Sequence, residues 1–170
     1  NDEYKPQYLK RAKELSGDNS LALDVWKNAI NFFTKKNKQY VYSIFLEPTS
    51  PIRDISWVKA KIANFKLSGD DLWMSIKETD SKYRIEKQFK IEKNGTIKKL
   101  YKDDEIYSLR QNSSPTYHKD GVFYIAKNEY ILKTNKLFGG KIKGIINHEK
   151  SVNIDTFEDL DYATYLLKNN

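Results

Sequence analysis

Residues 48–53, PTSPIR, bring together two hydroxyls (Thr49 and Ser50), the guanidinium of Arg53 and backbone amides that the flanking prolines keep out of regular structure. They follow an apolar run directly. A loop of this kind at the carboxyl end of a buried strand can bind an anionic or hydroxylated ligand, although Pro and Ser also build ordinary turns. Asp155 is a second candidate. Thr156 can cap a C-terminal helix, and Glu158 or Asp159 can favour its positive end, whereas Asp155 sits just outside that helix and is left to ligate Mg²⁺ directly or through water. Arg110 and Gln111 stand in a polar stretch where a solvated reading competes with a functional one. His118 precedes Asp120-Gly121 by two residues, but no Ser-His-Asp order accompanies it, and His148 reads as a surface residue. With no cysteine and two histidines, any metal here would be held by oxygen.

The elements that must position these residues follow from the hydrophobic pattern. Residues 20–34 place Leu21, Val25, Ile30 and Phe33 near helical spacing, with Asp18, Asn19 or Ser20 available as N-cap. QYVYSIFLE (39–47) is a continuous β-branched and aromatic run, which predicts a central strand buried on both faces and ending at Pro48. Residues 54–66 predict a helix capped by Asp54, with Ile55, Val58, Ile62 and Phe65 on one face, and residues 71–78 predict a second strand. This order implies a parallel crossover and a layered α/β domain. Over 82–102 the period changes to two, with a turn at Asn94-Gly95, so an antiparallel hairpin is expected. A polar stretch, a strand at 122–126, a short helix or turn near 128–137, a strand at 141–148 and a helix over 157–168 complete the chain.

Lys and Arg total 30 against 23 Asp and Glu in 170 residues, for a net charge of +7. The excess sits mainly in residues 1–40, with eight basic against five acidic side chains, and in 81–120, with ten against six. In the second segment the cations alternate with Ile, Phe and Tyr, which reads as a ribbon with one solvated face and argues against a nucleic-acid partner. No run approaches the length of a membrane span, and the first residues lack the apolar core of a signal peptide, so a soluble, cytoplasmic protein with no membrane partner is expected.

Four segments, in order, resemble one family. FLEPTSPIRD (45–54) is similar to the "LLQPTSPLR" segment of the acylneuraminate cytidylyltransferases, the CMP-sialic acid synthetase group. RAKELSGD (11–18) is similar to "RP-x-ELSGD" ahead of Asp24-Val25, LRQNSSPTYHKDGVFYIAK (109–127) to "RQ…P…NG-x-x-YI", and SVNIDTFEDLDYA (151–163) to "S-x-DIDTxxDLxxA". The resemblance spans roughly residues 11–168. It implies a Rossmann-like three-layer α/β nucleotidyltransferase fold, with a mixed, mainly parallel sheet and a protruding hairpin arm over 82–107 that serves a homodimer.

The resemblance further implies transfer of CMP from CTP to an acidic, sialic-acid-like sugar, with Mg²⁺ as cofactor. Arg11, Thr49 and Ser50 would face the nucleotide. Glu47, Arg110, Gln111, His118, Asp120 and Tyr124 would face the sugar, Asp155 and Arg110 would be catalytic, and Asp155 with Asn153 would hold the metal. Three departures accompany it. Asn153 stands where the family has the first Asp of "DID", His118 where an Arg is expected, and Glu47 where the family has Gln. The family's leading strand and "PARGGSKRxxxKN" phosphate loop have no counterpart here, and Met74 is the only methionine, so the expectation is a single domain, 1–170, whose leading segment lies elsewhere. A module that binds sugar nucleotides without catalysis, and a cytidylyltransferase for another sugar acid, are the alternatives.

Overall fold

The structure, a computed structural model, describes residues 6–17, 20–100 and 115–169. Its main sheet has four strands: β1 (Tyr42–Phe45), β2 (Leu72–Glu78), β5 (Tyr117–Lys127) and β6 (Ile142–Ile146), in the order β1-β5-β2-β6. A separate two-stranded ribbon pairs β3 (Phe89–Ile91) with β4 (Ile97–Lys99). Among the described residues four α-helices accompany them: α1 (Ala22–Lys35), α2 (Ile55–Ser68), α3 (Asn128–Lys133) and α4 (Phe157–Lys168).

β5 explains the layering. Its residues 122–126 are buried on both faces, which is why VFYIA is an unbroken apolar run. Tyr124 and Ala126 face one way and pack with Leu72, with Leu23, Trp26 and Ile30 of α1, and with Ile131 of α3. Phe123 and Ile125 face the other way and pack with Trp73 and with Val58 and Phe65 of α2. Ring pairs stitch both layers, with centroids 5.6 Å apart for Trp26–Phe45 and 5.2 Å for Trp57–Phe123. A third cluster joins Ala163 and Leu166 of α4 to Ile52 and Val152, which seats the two candidate loops on one helix.

β1, β2 and β6 run in the same sense, and β2 pairs with β6 in parallel. The crossover from β1 through α2 to β2 has the expected sense, but β5 inserts between the two strands and pairs antiparallel with both. Among the described residues β1 is therefore an edge strand of four half-buried or exposed residues, not the central strand that 39–47 predicts. Its apolar side chains serve α1 and α2, which cover its two faces, so the pattern of a buried strand arises at an edge. β5 also reaches back to Tyr117, into residues that read as polar loop.

Local signals behave more simply. Asp54 caps α2 by accepting from the Trp57 amide at 2.9 Å, and Gly69 at φ 71° ends that helix. Thr156 and Asp159 form a reciprocal capping box on α4. For α1 the N-cap is Leu21, which gives no side-chain cap, instead of Ser20; Asp18 and Asn19 lie outside the described residues. The expected hairpin closes at Gly95, φ 84°, but starts late: residues 81–83 and 85–87 are single 3-10 turns, so the alternation there is not a strand. Residues 101–107 of the expected arm lie outside the described residues.

At the start of β2, two acids are fixed by residues from the end of β5 and the start of β6, which meet them at the same end of the sheet. Asp70 accepts from the Trp73 indole at 2.6 Å and pairs with Lys141 at 3.1 Å, while Asp71 accepts from the Lys141 amide at 2.9 Å and pairs with Lys127 at 3.3 Å. Hydrogen bonds from Trp73 and Lys141 hold Asp70 below the usual carboxylate range, and the Lys141 amide does the same for Asp71. Depressed carboxyls stabilise the fold above their unfolded value and lose that contribution as pH falls through the folded one. The melting temperature should therefore drop below about pH 4, and D70N/D71N should melt lower at neutral pH with a shallower acid decline, measured by circular dichroism.

Candidate functional site

The carboxyl ends of β1 and β6 and the early part of β5 lie at the same end of the sheet, so residues far apart in sequence meet there. Ser50, fully buried, is the meeting point. Its hydroxyl lies 3.0 Å from the Asp120 carbonyl and 3.3 Å from Asn153 Oδ1. Its amide donates to the Glu47 carbonyl at 3.1 Å, closing a turn, and the Ile154 amide donates to the Thr49 carbonyl at 2.8 Å. Thus 47–50, 120 and 153–154 form one surface.

Asp120 anchors it from below. It is 5% exposed, and its carboxylate accepts from the Ser75 hydroxyl, from the Val122 amide at 3.2 Å and from Asn147 Nδ2 at 2.7 Å. Each partner is a donor, the complement a carboxylate requires. Arg53 spans the same region: it donates to the Val122 carbonyl at 2.9 Å and to the Glu47 carbonyl. Burial draws the Arg53 guanidinium below its ordinary value, and the charges of Glu47 and Asp120 oppose that shift.

Gly121 makes the packing possible. It takes φ 71°, and a Cβ there would lie 2.5 Å from both Glu47 Oε2 and Ser50 Oγ. Above it, the Tyr124 phenol is raised well above its ordinary value, by burial first and then by the nearby Glu47 charge. A recess of about 70 Å³ opens beside this pair, lined by Leu23, Trp26, Phe45, Lys119, Leu137 and Phe138 as well.

The other residues singled out in the sequence are placed as follows. Asp155 is exposed, and its Oδ2 accepts from Asn153 Nδ2 at 2.9 Å. Thr49 is exposed beside buried Ser50. His118 is exposed on β5, with Nδ1 3.1 Å from the Thr79 hydroxyl. Arg11 is exposed ahead of the 3-10 turn Lys13–Leu15, and His148 is exposed after β6. Arg110 and Gln111 lie outside the described residues. Ser75, Asn147 and Gly121 complete the site without having been singled out; the available signal was an isolated polar residue in or beside an apolar strand.

The described residues hold no group of three or more His, Asp or Glu side chains placed to bind a metal. Asp155, a single exposed carboxylate beside an amide, fits Mg²⁺ in one form only: a cation that arrives on phosphate oxygens and keeps most of its water.

The fold and site together define a layered α/β protein with a polar site built on the loops at one end of a mixed sheet. No family model matches the chain, and no curated protein matches it in sequence. Among solved structures it is similar to HddC from Yersinia pseudotuberculosis complexed with GMP-PN, with a TM-score of 0.51 and 15% identity over 86% of this chain and 62% of HddC. A further HddC structure from the same organism gives 0.51 and 16% over the same shares. The chain thus spans less than two thirds of HddC's length, and the likeness establishes a shared fold. No helix among the described residues is long and apolar enough to cross a membrane.

Two variants test the architecture of the site. Gly121→Ala should cost at least ~2 kcal/mol in urea unfolding, because a left-handed alanine is strained and its methyl displaces Glu47 and Ser50. Asp120→Asn places an amide against donors and should cost about 1–3 kcal/mol with little change in shape.

Proposed function

We propose that the full-length protein is a sugar nucleotidyltransferase that moves CMP from CTP to the anomeric hydroxyl of a sialic-acid-like or related sugar acid. The sugar oxygen forms the new bond to the α-phosphorus, the bond to the bridging oxygen breaks, pyrophosphate leaves, and the hydroxyl proton passes to solvent. The observation that carries the reading is Ser50: its hydroxyl sits against Asp120 and Asn153, joining three of the four segments that resemble the cytidylyltransferases. Those segments lie 70 and 103 residues from Ser50 in sequence.

In this reading Thr49 presents its hydroxyl toward the nucleotide, Arg53 holds the turn that shapes the loop, and Glu47 with Tyr124 faces the sugar. Asp155 would hold Mg²⁺ together with the triphosphate; the ion supplies charge neutralisation of the phosphates. Asn153 adds no charge of its own and fixes Asp155 through its amide. The hairpin leaves Phe89, Ile91 and Ile97 exposed at 49%, 76% and 59%, which supports an arm used between two copies.

The HddC complex with GMP-PN favours a second reading in which the nucleotide is a guanine nucleotide. Both are tested by pyrophosphate release from the full-length protein with Mg²⁺, CTP or GTP, and a panel of sugar acids. Release that requires both CTP and an acidic sugar is expected; release with GTP alone among the nucleotides moves the assignment to the second reading, and no release above the sugar-free blank refutes both. Asp155→Ala should lower turnover roughly 100-fold or more while leaving the melting temperature within a degree or two.

A further inference from the structure

The loop after β6, residues 147–155, carries Asn153 and Asp155 and is tied down at both ends. At its far end Asn153 Oδ1 lies 3.3 Å from the Ser50 hydroxyl, and the Ile154 amide donates to the Thr49 carbonyl at 2.8 Å. At its near end Lys77 Nζ donates to the Glu149 carbonyl at 3.2 Å and to the Ser151 hydroxyl at 3.3 Å. Asn147, 4% exposed, is held more closely still. Its backbone amide donates to the Ile76 carbonyl at 2.8 Å, its side-chain Oδ1 accepts from the Glu149 amide at 2.9 Å, and its Nδ2 donates to Asp120 Oδ2 at 2.7 Å. One amide thus works in two directions, shaping its own loop with one end and reaching β5 with the other.

The contact with Asp120 has a polarity that can be reversed. Asp120 Oδ1 accepts from the Ser75 hydroxyl and from the Val122 amide at 3.2 Å, so Oδ2 is the atom that faces Asn147. An asparagine at 120 would keep its Oδ1 on Ser75 and Val122 and present Nδ2 toward 147. An aspartate at 147 would accept that donor with one oxygen and the Glu149 amide with the other. Either change alone leaves a mismatch. Asn147→Asp sets two carboxylate oxygens at hydrogen-bonding distance, where like charges repel. Asp120→Asn sets two NH2 groups against each other, and turning the Asn147 amide only moves that clash to the Glu149 N–H.

We propose that Asn147 is a positioning residue of the site: by donating to Asp120 it aligns the 147–155 loop with the PTSPIR loop, and what counts at 120 and 147 is the match between donor and acceptor, whichever partner holds the charge. The effect on turnover rests on the transferase reading, in which Asp155 at the end of this loop meets the metal-bound triphosphate. Asp120 lies beneath the site at 5% exposure, so moving its charge by one hydrogen bond leaves exposed Thr49 and Asp155 unaltered.

The test measures pyrophosphate release by the full-length protein with CTP, Mg²⁺ and the panel of sugar acids, together with hydrogen exchange over 147–155 by mass spectrometry. Asn147→Asp should lower kcat roughly 10- to 100-fold through misplacement of the loop and leave KM for the sugar within about threefold. It should also speed exchange over 147–155. D120N/N147D should return kcat to within about threefold of wild type and restore wild-type exchange, and should do so even where Asn147→Asp alone is too unstable to purify. A double variant no better than Asn147→Asp overturns the proposal, as does Asn147→Asp with wild-type kcat or with its loss confined to KM for the sugar. Recovery of exchange and melting temperature without recovery of kcat makes the pair structural only and overturns the positioning role. No pyrophosphate release by wild type refutes the transferase reading, and exchange in the single and double variants then decides the pair by itself.

Discussion

The carboxylate of Asp120 has to be satisfied where it is, and much of the site follows from how that is done. Taking an ion pair or a lone charge out of water costs several kcal/mol unless hydrogen bonds and a counter-charge answer it. Here the answers come from three places: Ser75 on β2, the Val122 amide on β5 and Asn147 beyond β6, with Arg53 supplying the positive charge. Each partner belongs to a different segment of chain. Satisfying one buried group therefore fixes the relative positions of three strands at the end where the loops emerge. Exposed pairs such as Lys133–Glu129, screened by water, have no comparable leverage.

Gly121 converts this anchor into an open surface. Its positive φ turns β5 beside Asp120, and the missing side chain leaves space that Glu47 and Ser50 occupy. Buried Ser50 then reads the result from above, bonding to the Asp120 carbonyl and to Asn153. Rigid elements thus hold the polar groups while Thr49 and Asp155 remain exposed for a ligand. Site geometry supported from beneath in this way depends on the core of α1, α2 and the sheet more than on the loops themselves.

What the sequence conveyed divides along the range of the interactions. Asp54 and Thr156 cap their helices through partners three residues away, and both were legible because N-cap chemistry is local. The Asn94-Gly95 turn was legible for the same reason. The insertion of β5 between β1 and β2 was not, because strand order depends on pairing between residues 39 to 85 positions apart, and a run such as 39–47 looks alike at an edge flanked by helices and in the middle of a sheet. Ser75 and Asn147 were invisible as site residues: each is one polar residue in an apolar stretch, and nothing local says that both donate to the same carboxylate. Glu47, Asp120, Tyr124 and Asn153 emerged through motif resemblance, and the structure brings the four into one neighbourhood.

Asn153 shows how a departure from a motif can be accommodated. An aspartate there could accept from Ser50 as Asn153 Oδ1 does, but it would set a second carboxylate against Asp155, two residues on, and the pair would repel unless a cation lay between them. The asparagine amide does both jobs at once, accepting from Ser50 on one side and donating to Asp155 on the other. The Asp155 backbone amide meanwhile donates to Asp159, which ties the loop to the start of α4. The loop can therefore hold its shape through hydrogen bonds alone. One negative charge instead of two weakens the attraction for a free divalent cation. The remaining carboxylate still suits one that arrives already bound to phosphate, so under the proposed function any metal would come to this site together with the nucleotide.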